Sequence, residues 1–278
     1  MTAASLSAQP LIRPSSLRTA WRVFWHGGLL SYGMLFNWAR PSIYIPTLIG
    51  GPTFQLLFFA ALGSYASGRS PAYFAIGNAV QVSALAGVFG MTMAIANERW
   101  FGTLPAILAT PANRVALFAG RFLPFLANAL FVSVYAFVVG VVFLGVRIRL
   151  DSLGVVALAL IVTVFSCTAI GALQGSISLR LRDGLFGANL LMMAFLIFCG
   201  VNIPVSELPG WMQVISQILP FTHGLEAVRQ AADGAGLSQV GGLIAIELGI
   251  GVAYAVAAFF LFSFLERSSR ANATLDVR

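Results

Sequence analysis

Six apolar stretches separated by short polar breaks constrain this chain more than any other feature. They run over 43–62, 72–96, 122–144, 153–178, 185–203 and 243–265. A helix rises about 1.5 Å per residue, so each is long enough to cross roughly 30 Å of hydrocarbon; the fifth is the shortest and open to a partly re-entrant course. Lipid offers the backbone no hydrogen-bond partner, so a spanning segment must satisfy its amides internally, and the alternation of barrel strands is absent. The expected fold is an all-α integral membrane protein with six transmembrane helices. Composition agrees, because 59% hydrophobic and 9% charged residues leave too little polar material to cover a soluble globule of 278 residues.

The arginines orient the bundle. Arg13, Arg18, Arg22, Arg40, Arg99, Arg114, Arg121, Arg180, Arg182, Arg267, Arg270 and Arg278 fall on one side of the six segments; Arg69, Arg147, Arg149 and Arg229 fall on the other, a split of 12 to 4. Positive residues stay inside, so both termini are expected to be cytoplasmic, in a plasma-membrane protein. The net charge of +7 then reads as topology and attraction to anionic membrane lipids. A nucleic-acid partner is not expected, since no basic patch stands apart from the membrane flanks.

One membrane domain accounts for 1–278: a cytoplasmic leader over 1–40, a six-span bundle over 41–265 and a cytoplasmic tail over 266–278. The leader is too long for a cleaved signal peptide and is expected to stay attached. Within it, Arg18, Arg22 and His26 share one helical face while Leu17, Ala20, Trp21 and Phe24 cluster on another, the pattern of an interfacial helix that anchors the chain.

Between the second and third stretches lies a charged break, 97–111 (NERWFGTLPAILATP). A plain turn needs only a few solvated residues, so a connector of this kind points to a docking surface. Its Glu98, Arg99, Gly102, Thr103, Leu104, Leu108, Thr110 and Pro111 resemble the cytoplasmic connector of ABC-2 type transporter permeases, an acid and base, Gly-Thr-Leu, then Leu-x-Thr-Pro. That family usually places a second acid after Gly-Thr-Leu, where this chain has Pro105. The resemblance implies that these residues couple the chain to a separate ATP-hydrolysing subunit; Arg180 and Arg182 of the short break over 178–184, on the same side by the arginine count, are expected to add a secondary cytoplasmic contact.

A second family-like segment precedes the last stretch, 202–229 (NIPVSELPGWMQVISQILPFTHGLEAVR). Pro204, Leu208, Pro209, Trp211, Ile215, Pro220, Glu226 and Arg229 resemble the external helical hairpin of these permeases. Trp211, Ile215, Ile218 and Leu219 fall on one stripe, as in a helix lying at an interface or dipping back into it. The segment is read as a lid over the exit of a pathway, with Glu226 and Arg229 spaced to pair.

Polar residues inside the spans, Gln55, Asn78, Gln81, Asn128, Gln174, Asn189 and Glu247, should face other helices or a cavity. Glu247, about one turn into the last span, has two readings: a pathway or gating group, and an interfacial carboxylate hydrated by headgroups. Gly171 and Gly175 form a small-xxx-small pair that permits close helix approach.

Several chemistries are excluded. The 16 basic residues are all arginines, so the P-loop lysine is missing and this polypeptide is not itself the ATPase. Schiff-base and Ser-Lys catalysis fail for the same reason. Cys167 and Cys199 lie in apolar sequence and read as packing residues, and His26 and His223 stand alone, so no catalytic or metal site is expected and no cofactor bound by this chain. ATP and Mg would belong to the partner subunit.

The resemblance implies a permease subunit that pairs with a second copy or a homologue and with an ABC ATPase, and that exports a hydrophobic or amphipathic compound, a drug or lipid. Lipid-linked glycan or polysaccharide export is the alternative cargo. Readings of another class are an ATP-independent carrier, which wants charges near the midplane, and a membrane-embedded lipid enzyme, which wants convergent acids near one face.

Overall fold

The computed structural model describes residues 18, 21–22, 24–29, 41–100, 114–179 and 184–271. A helical stretch over 24–29 is followed by α1 (Pro41–Ser67), α2 (Pro71–Trp100), α3 (Arg114–Leu144), a 3-10 turn (Leu150–Ser152) leading into α4 (Leu153–Ser178), α5 (Gly184–Phe198), a second 3-10 turn (Val205–Glu207), α6 (Gly210–Ile218), α7 (Thr222–Ala232) and α8 (Leu237–Ala271). No strand occurs among the described residues, so the chain is all-helical.

Among the described residues, four helices are both long and apolar enough to cross a membrane, over Pro71–Ala96, Phe122–Leu144, Leu150–Ser178 and Leu237–Leu265. α1, with 27 residues, has the length for a crossing. The fifth expected span is shorter than the sequence implied. α5 has 15 residues, about 22 Å, and ends at Phe198 rather than at 203. Gly200 there takes φ 80°, a left-handed turn that terminates a helix, and Pro204 opens the following 3-10 turn. The last span, in contrast, begins earlier: Leu237 through Gly242 is already helical, although its serine, glutamine and glycines depress hydropathy.

α4 lies at the centre, packed on α2 and α8, and α2 in turn packs on α1 and α3. The Gly171/Gly175 pair sits at the α2–α4 crossing. A methyl built on Gly171 would lie 2.8 Å from the Val88 Cα, and one on Gly175 2.9 Å from the Ile95 Cδ1. Thr92 Oγ1 donates to the Gly171 carbonyl at 3.0 Å across that crossing. Close backbone approach and interhelical hydrogen bonds are what hold helices together where lipid is as apolar as the core.

In the leader, Trp21 stacks on Phe24 with centroids 5.6 Å apart. The stretch crosses the start of α3 closely, since a methyl built on Gly28 would lie 2.9 Å from the Gly120 carbonyl oxygen. At the other end of α3 the loops gather. Arg69 pairs with Glu207, Arg229 meets Tyr73, and a methyl built on Gly234 would meet the Arg149 Cδ at 2.6 Å. Arg69, Arg149 and Arg229, three of the four arginines counted on the minority side, therefore share one end of the bundle.

Candidate functional site

The loop end is built around α6 and α7. Pro209 caps α6, its carbonyl accepting from the Met212 and Gln213 amides at 2.8 and 3.1 Å, and the Gln213 side chain donates to the Leu208 carbonyl at 2.8 Å. α6 exposes Trp211, Val214 and Ile218, each more than 60% accessible, and buries Ser216. Leu219, expected on the same stripe, lies past the helix end in extended conformation. Trp211 meets Phe198 edge-on, centroids 6.2 Å apart. An exposed apolar stripe is thus present, carried by Trp211, Ile215 and Ile218 with Val214 in place of Leu219.

Pro220 is buried, and Phe221 takes φ 95°, a conformation that costs a non-glycine residue about 1–3 kcal/mol and persists only where its surroundings impose it. α7 then buries Leu225, Val228, Ala231 and Ala232 against the bundle and leaves Glu226 outside. It packs on α4, α8 and α2. A methyl built on Gly224 would lie 2.0 Å from the Thr163 Oγ1, so no larger residue lets α7 sit this close to α4.

Glu247 holds the start of α7, and its reading as an interfacial carboxylate needs correction. It lies ten residues after Leu237, about 15 Å along α8 rather than one turn in, and it is fully buried, not hydrated at a headgroup surface. Its Oε1 accepts from the Phe221 amide at 2.7 Å and from the Ser166 hydroxyl, and its Oε2 from the Gly224 amide at 3.0 Å. The first amides of a helix have no intrahelical partner, and an acid from another helix supplies one here.

Arg229 holds the other half of α7. Its guanidinium donates to the Gly200 carbonyl at 2.7 Å and the Val201 carbonyl at 2.8 Å, and lies 3.8 Å from the Tyr73 ring centroid. Burial holds its pKa below the ordinary arginine value, and the guanidinium, being so strong a base, keeps its charge. The expected Glu226–Arg229 pairing is replaced: Glu226 accepts from Gln230 at 2.9 Å, because Arg229 finds the two carbonyls left open where α5 ends. The Tyr73 hydroxyl adds a bond to Gly200 O at 3.2 Å. Asn78, one turn further along α2, donates to Asn202 Oδ1 at 3.0 Å. On the rim, Arg69 stands 5.5 Å from the Tyr73 ring centroid and pairs with Glu207.

Of the remaining sequence-derived residues, Glu98 and Arg99 lie in the last turn of α2. Gly102, Thr103, Leu104, Leu108, Thr110, Pro111, Arg180 and Arg182 lie outside the described residues. Among the polar residues of the spans, Asn78, Gln81, Gln174 and Glu247 are buried, while Gln55 and Asn128 are half-buried. Asn189 departs from expectation: it is exposed and donates to the Leu185 carbonyl of its own helix at 3.0 Å. Cys167 and Cys199 are buried free thiols. Sequence reasoning missed Tyr73, Ser166, Gly200 and Phe221. An aromatic beside a span boundary and a serine in a span are too common to stand out, and Phe221 matters for its backbone amide, which composition does not encode.

Comparison with known proteins supplies the family. The profile described as ABC-2 type transporter matches residues 28–232, from the leader stretch through the end of α7. The chain is similar to "Probable multidrug ABC transporter permease YbhR" of Escherichia coli (strain K12), 24% identical over 159 residues that make up 57% of this chain and 43% of that protein. It is also similar to "Nodulation protein J" of Rhizobium meliloti (strain 1021), 34% identical over 83 residues, 30% of each chain. The chain thus spans less than half the length of the curated relatives it matches. An all-helical bundle with membrane-length apolar helices, matched over most of its length by this profile, is a multi-pass transporter subunit, and the chain belongs to the ABC-2 type transporter family as a membrane permease.

Proposed function

We propose that this permease is the membrane half of an ATP-driven exporter that moves a hydrophobic or amphipathic compound, a drug or lipid, out of the cytoplasm or inner leaflet. Family membership carries the reading, and similarity to a protein named as a multidrug permease points to drug-like cargo. In this arrangement a separate ABC ATPase binds ATP and Mg and docks on Glu98, Arg99, Gly102, Thr103, Leu104, Leu108, Thr110 and Pro111, with Arg180 and Arg182 beside them. The connector joins α2 to α3, so closure of the ATPase dimer pushes on both helices. The termini face the cytoplasm of the plasma membrane, two permease halves flank the pathway, and the 202–229 segment covers its outlet.

The test is a detergent pull-down of the tagged chain from its native membrane, comparing wild type with the Glu98→Ala/Arg99→Ala double variant. Recovery of an ABC ATPase with wild type and its loss with the variant is the expected result. Failure to recover any ATPase with either form would refute the coupled-exporter reading.

A further inference from the structure

α7 is fastened at two points by groups of opposite charge that come from different parts of the fold. Arg229 ties its second half to 200–201 and Tyr73. Its first turn is tied by Glu247, a residue of α8 beyond the stretch that the family profile matches. Two backbone donors meet that carboxylate, the Phe221 and Gly224 amides from the α6–α7 joint, together with the Ser166 hydroxyl from α4, which also reaches the Thr163 carbonyl. One side chain therefore joins three elements, inside a region where no solvent is available to replace a lost partner. The strained Phe221 backbone aims its amide at Oε1, and the Phe221 ring stacks on Phe195 of α5 at 5.7 Å. α6 contrasts with this. It rests lightly on α5, α7 and the 205–207 turn, presents its apolar stripe outward, and is bounded by Pro209 and Pro220.

We propose that Glu247 is the positioning residue of the outlet: it locks the start of α7 onto α4 and α8, so that α7 is a fixed wall of the pathway and α6 is the part that moves, hinged at Leu219 just before the clamped Phe221. This rests on reading 202–229 as an outlet lid. It divides that lid into a static and a mobile half, a division invisible in the sequence because both helices are short and amphipathic.

A native reporter sits at the joint. Cys199 is 1% exposed and its thiol faces the Pro220 carbonyl at 3.9 Å. In the full permease in native membrane vesicles, with Cys167→Ala leaving Cys199 as the only thiol, N-ethylmaleimide should react slowly. Glu247→Gln keeps the volume but sets an amide donor against a donor, and should raise the Cys199 rate at least tenfold without ATP. Ser166→Ala removes one of three donors and should raise it less. A Cys199 as protected in Glu247→Gln as in the parent overturns the anchor. Should that variant fail to accumulate in the membrane, an unchanged rate in Ser166→Ala does so instead.

The second arm separates positioning from mere stability. With Cys199 also replaced by Ala, single reporters at Val214→Cys on α6 and Glu226→Cys on α7 are compared with and without ATP in vesicles that hold the complete transporter. A severalfold change confined to Val214→Cys is expected, and a matching change at Glu226→Cys overturns the division. Cys199 exposure in Glu247→Gln, with no ATP-dependent change at either reporter, would instead overturn the lid reading on which the proposal rests.

Discussion

Replacing Arg229 tests the physics of the loop end most sharply. The guanidinium makes two charge-assisted bonds, at 2.7 and 2.8 Å, to carbonyls that the end of α5 leaves open. Bonds to a charged group contribute about 1.5–3 kcal/mol each, and removing the half-buried cation returns part of that by relieving its desolvation. Arg229→Ala should therefore destabilise the fold by about 3 kcal/mol, or a Tm loss of about 6–12 °C at the 2–4 °C per kcal/mol usual for chains of this size. The damage is uneven, because Gly200 O keeps the Tyr73 hydroxyl at 3.2 Å whereas Val201 O loses its guanidinium donor. Arg229→Lys should recover about half the loss, since an ammonium reaches one carbonyl as a point charge and gives up the planar stacking on Tyr73. The buried thiols of Cys167 and Cys199 allow unfolding in mild detergent to be followed with a thiol-reactive fluorophore. An Arg229→Ala midpoint within about 1 °C of wild type would refute the argument that this cation closes the end of α5, and a lysine variant indistinguishable from wild type would refute its two-carbonyl form.

Other outcomes follow from the packing. Gly171→Val should be strongly destabilising, by about 3 kcal/mol at the upper end of overpacking penalties, because even its Cβ meets the Val88 backbone at 2.8 Å. Gly249→Ala on α8 meets nothing within 4 Å and should raise the midpoint slightly, by the roughly 0.5–1 kcal/mol that alanine gains over glycine in a helix; a larger loss for Gly249→Ala than for Gly171→Val in the same unfolding assay would overturn the α2–α4 crossing. Glu207→Gln should change stability by less than about 0.5 kcal/mol, since its side chain is 54% exposed and its partner Arg69 32%. A loss beyond about 1 kcal/mol in that titration would mean that the rim pair is desolvated.

The all-helical class was legible in the sequence to the extent that length and hydropathy decide it. α2, α3 and α4 fall close to the stretches read from hydropathy, because a span needs only a run of apolar residues and its own backbone bonds. The ends were less legible. Gly200 and Pro204 stop α5, while the small and polar residues over 237–242 extend α8 rather than break it, since helices tolerate them where neighbours cover the backbone. The 202–229 segment was legible as a proline-framed helical hairpin with one apolar stripe, and Pro209 and Pro220 do bound α6.

The functional pairings were not. Glu226 and Arg229 have the spacing of a helical pair, yet the carbonyls of Gly200 and Val201 capture the arginine instead. Spacing reports which side chains share a face and says nothing about an unpaired backbone group arriving from elsewhere in the chain. Glu247 is the same case with the sign reversed. From sequence it is an acid near the end of an apolar run, equally suited to headgroups or to a pathway. Only the return of α7 into the bundle, 23 to 26 residues back along the chain, brings the Phe221 and Gly224 amides within 2.7 and 3.0 Å.

By itself the sequence determined that this chain is a helical membrane protein, which of its sides carries most arginines, and which motifs to compare with ABC-2 permeases. Those properties depend on composition and local periodicity, which act residue by residue. Tertiary structure alone decided where α5 stops, which glycines touch a neighbouring backbone, and that one buried acid and one half-buried arginine fasten α7. A lost hydrogen bond in lipid has no water to replace it, so each open amide or carbonyl takes the partner that the fold brings nearest, and that choice is written in three dimensions rather than along the chain.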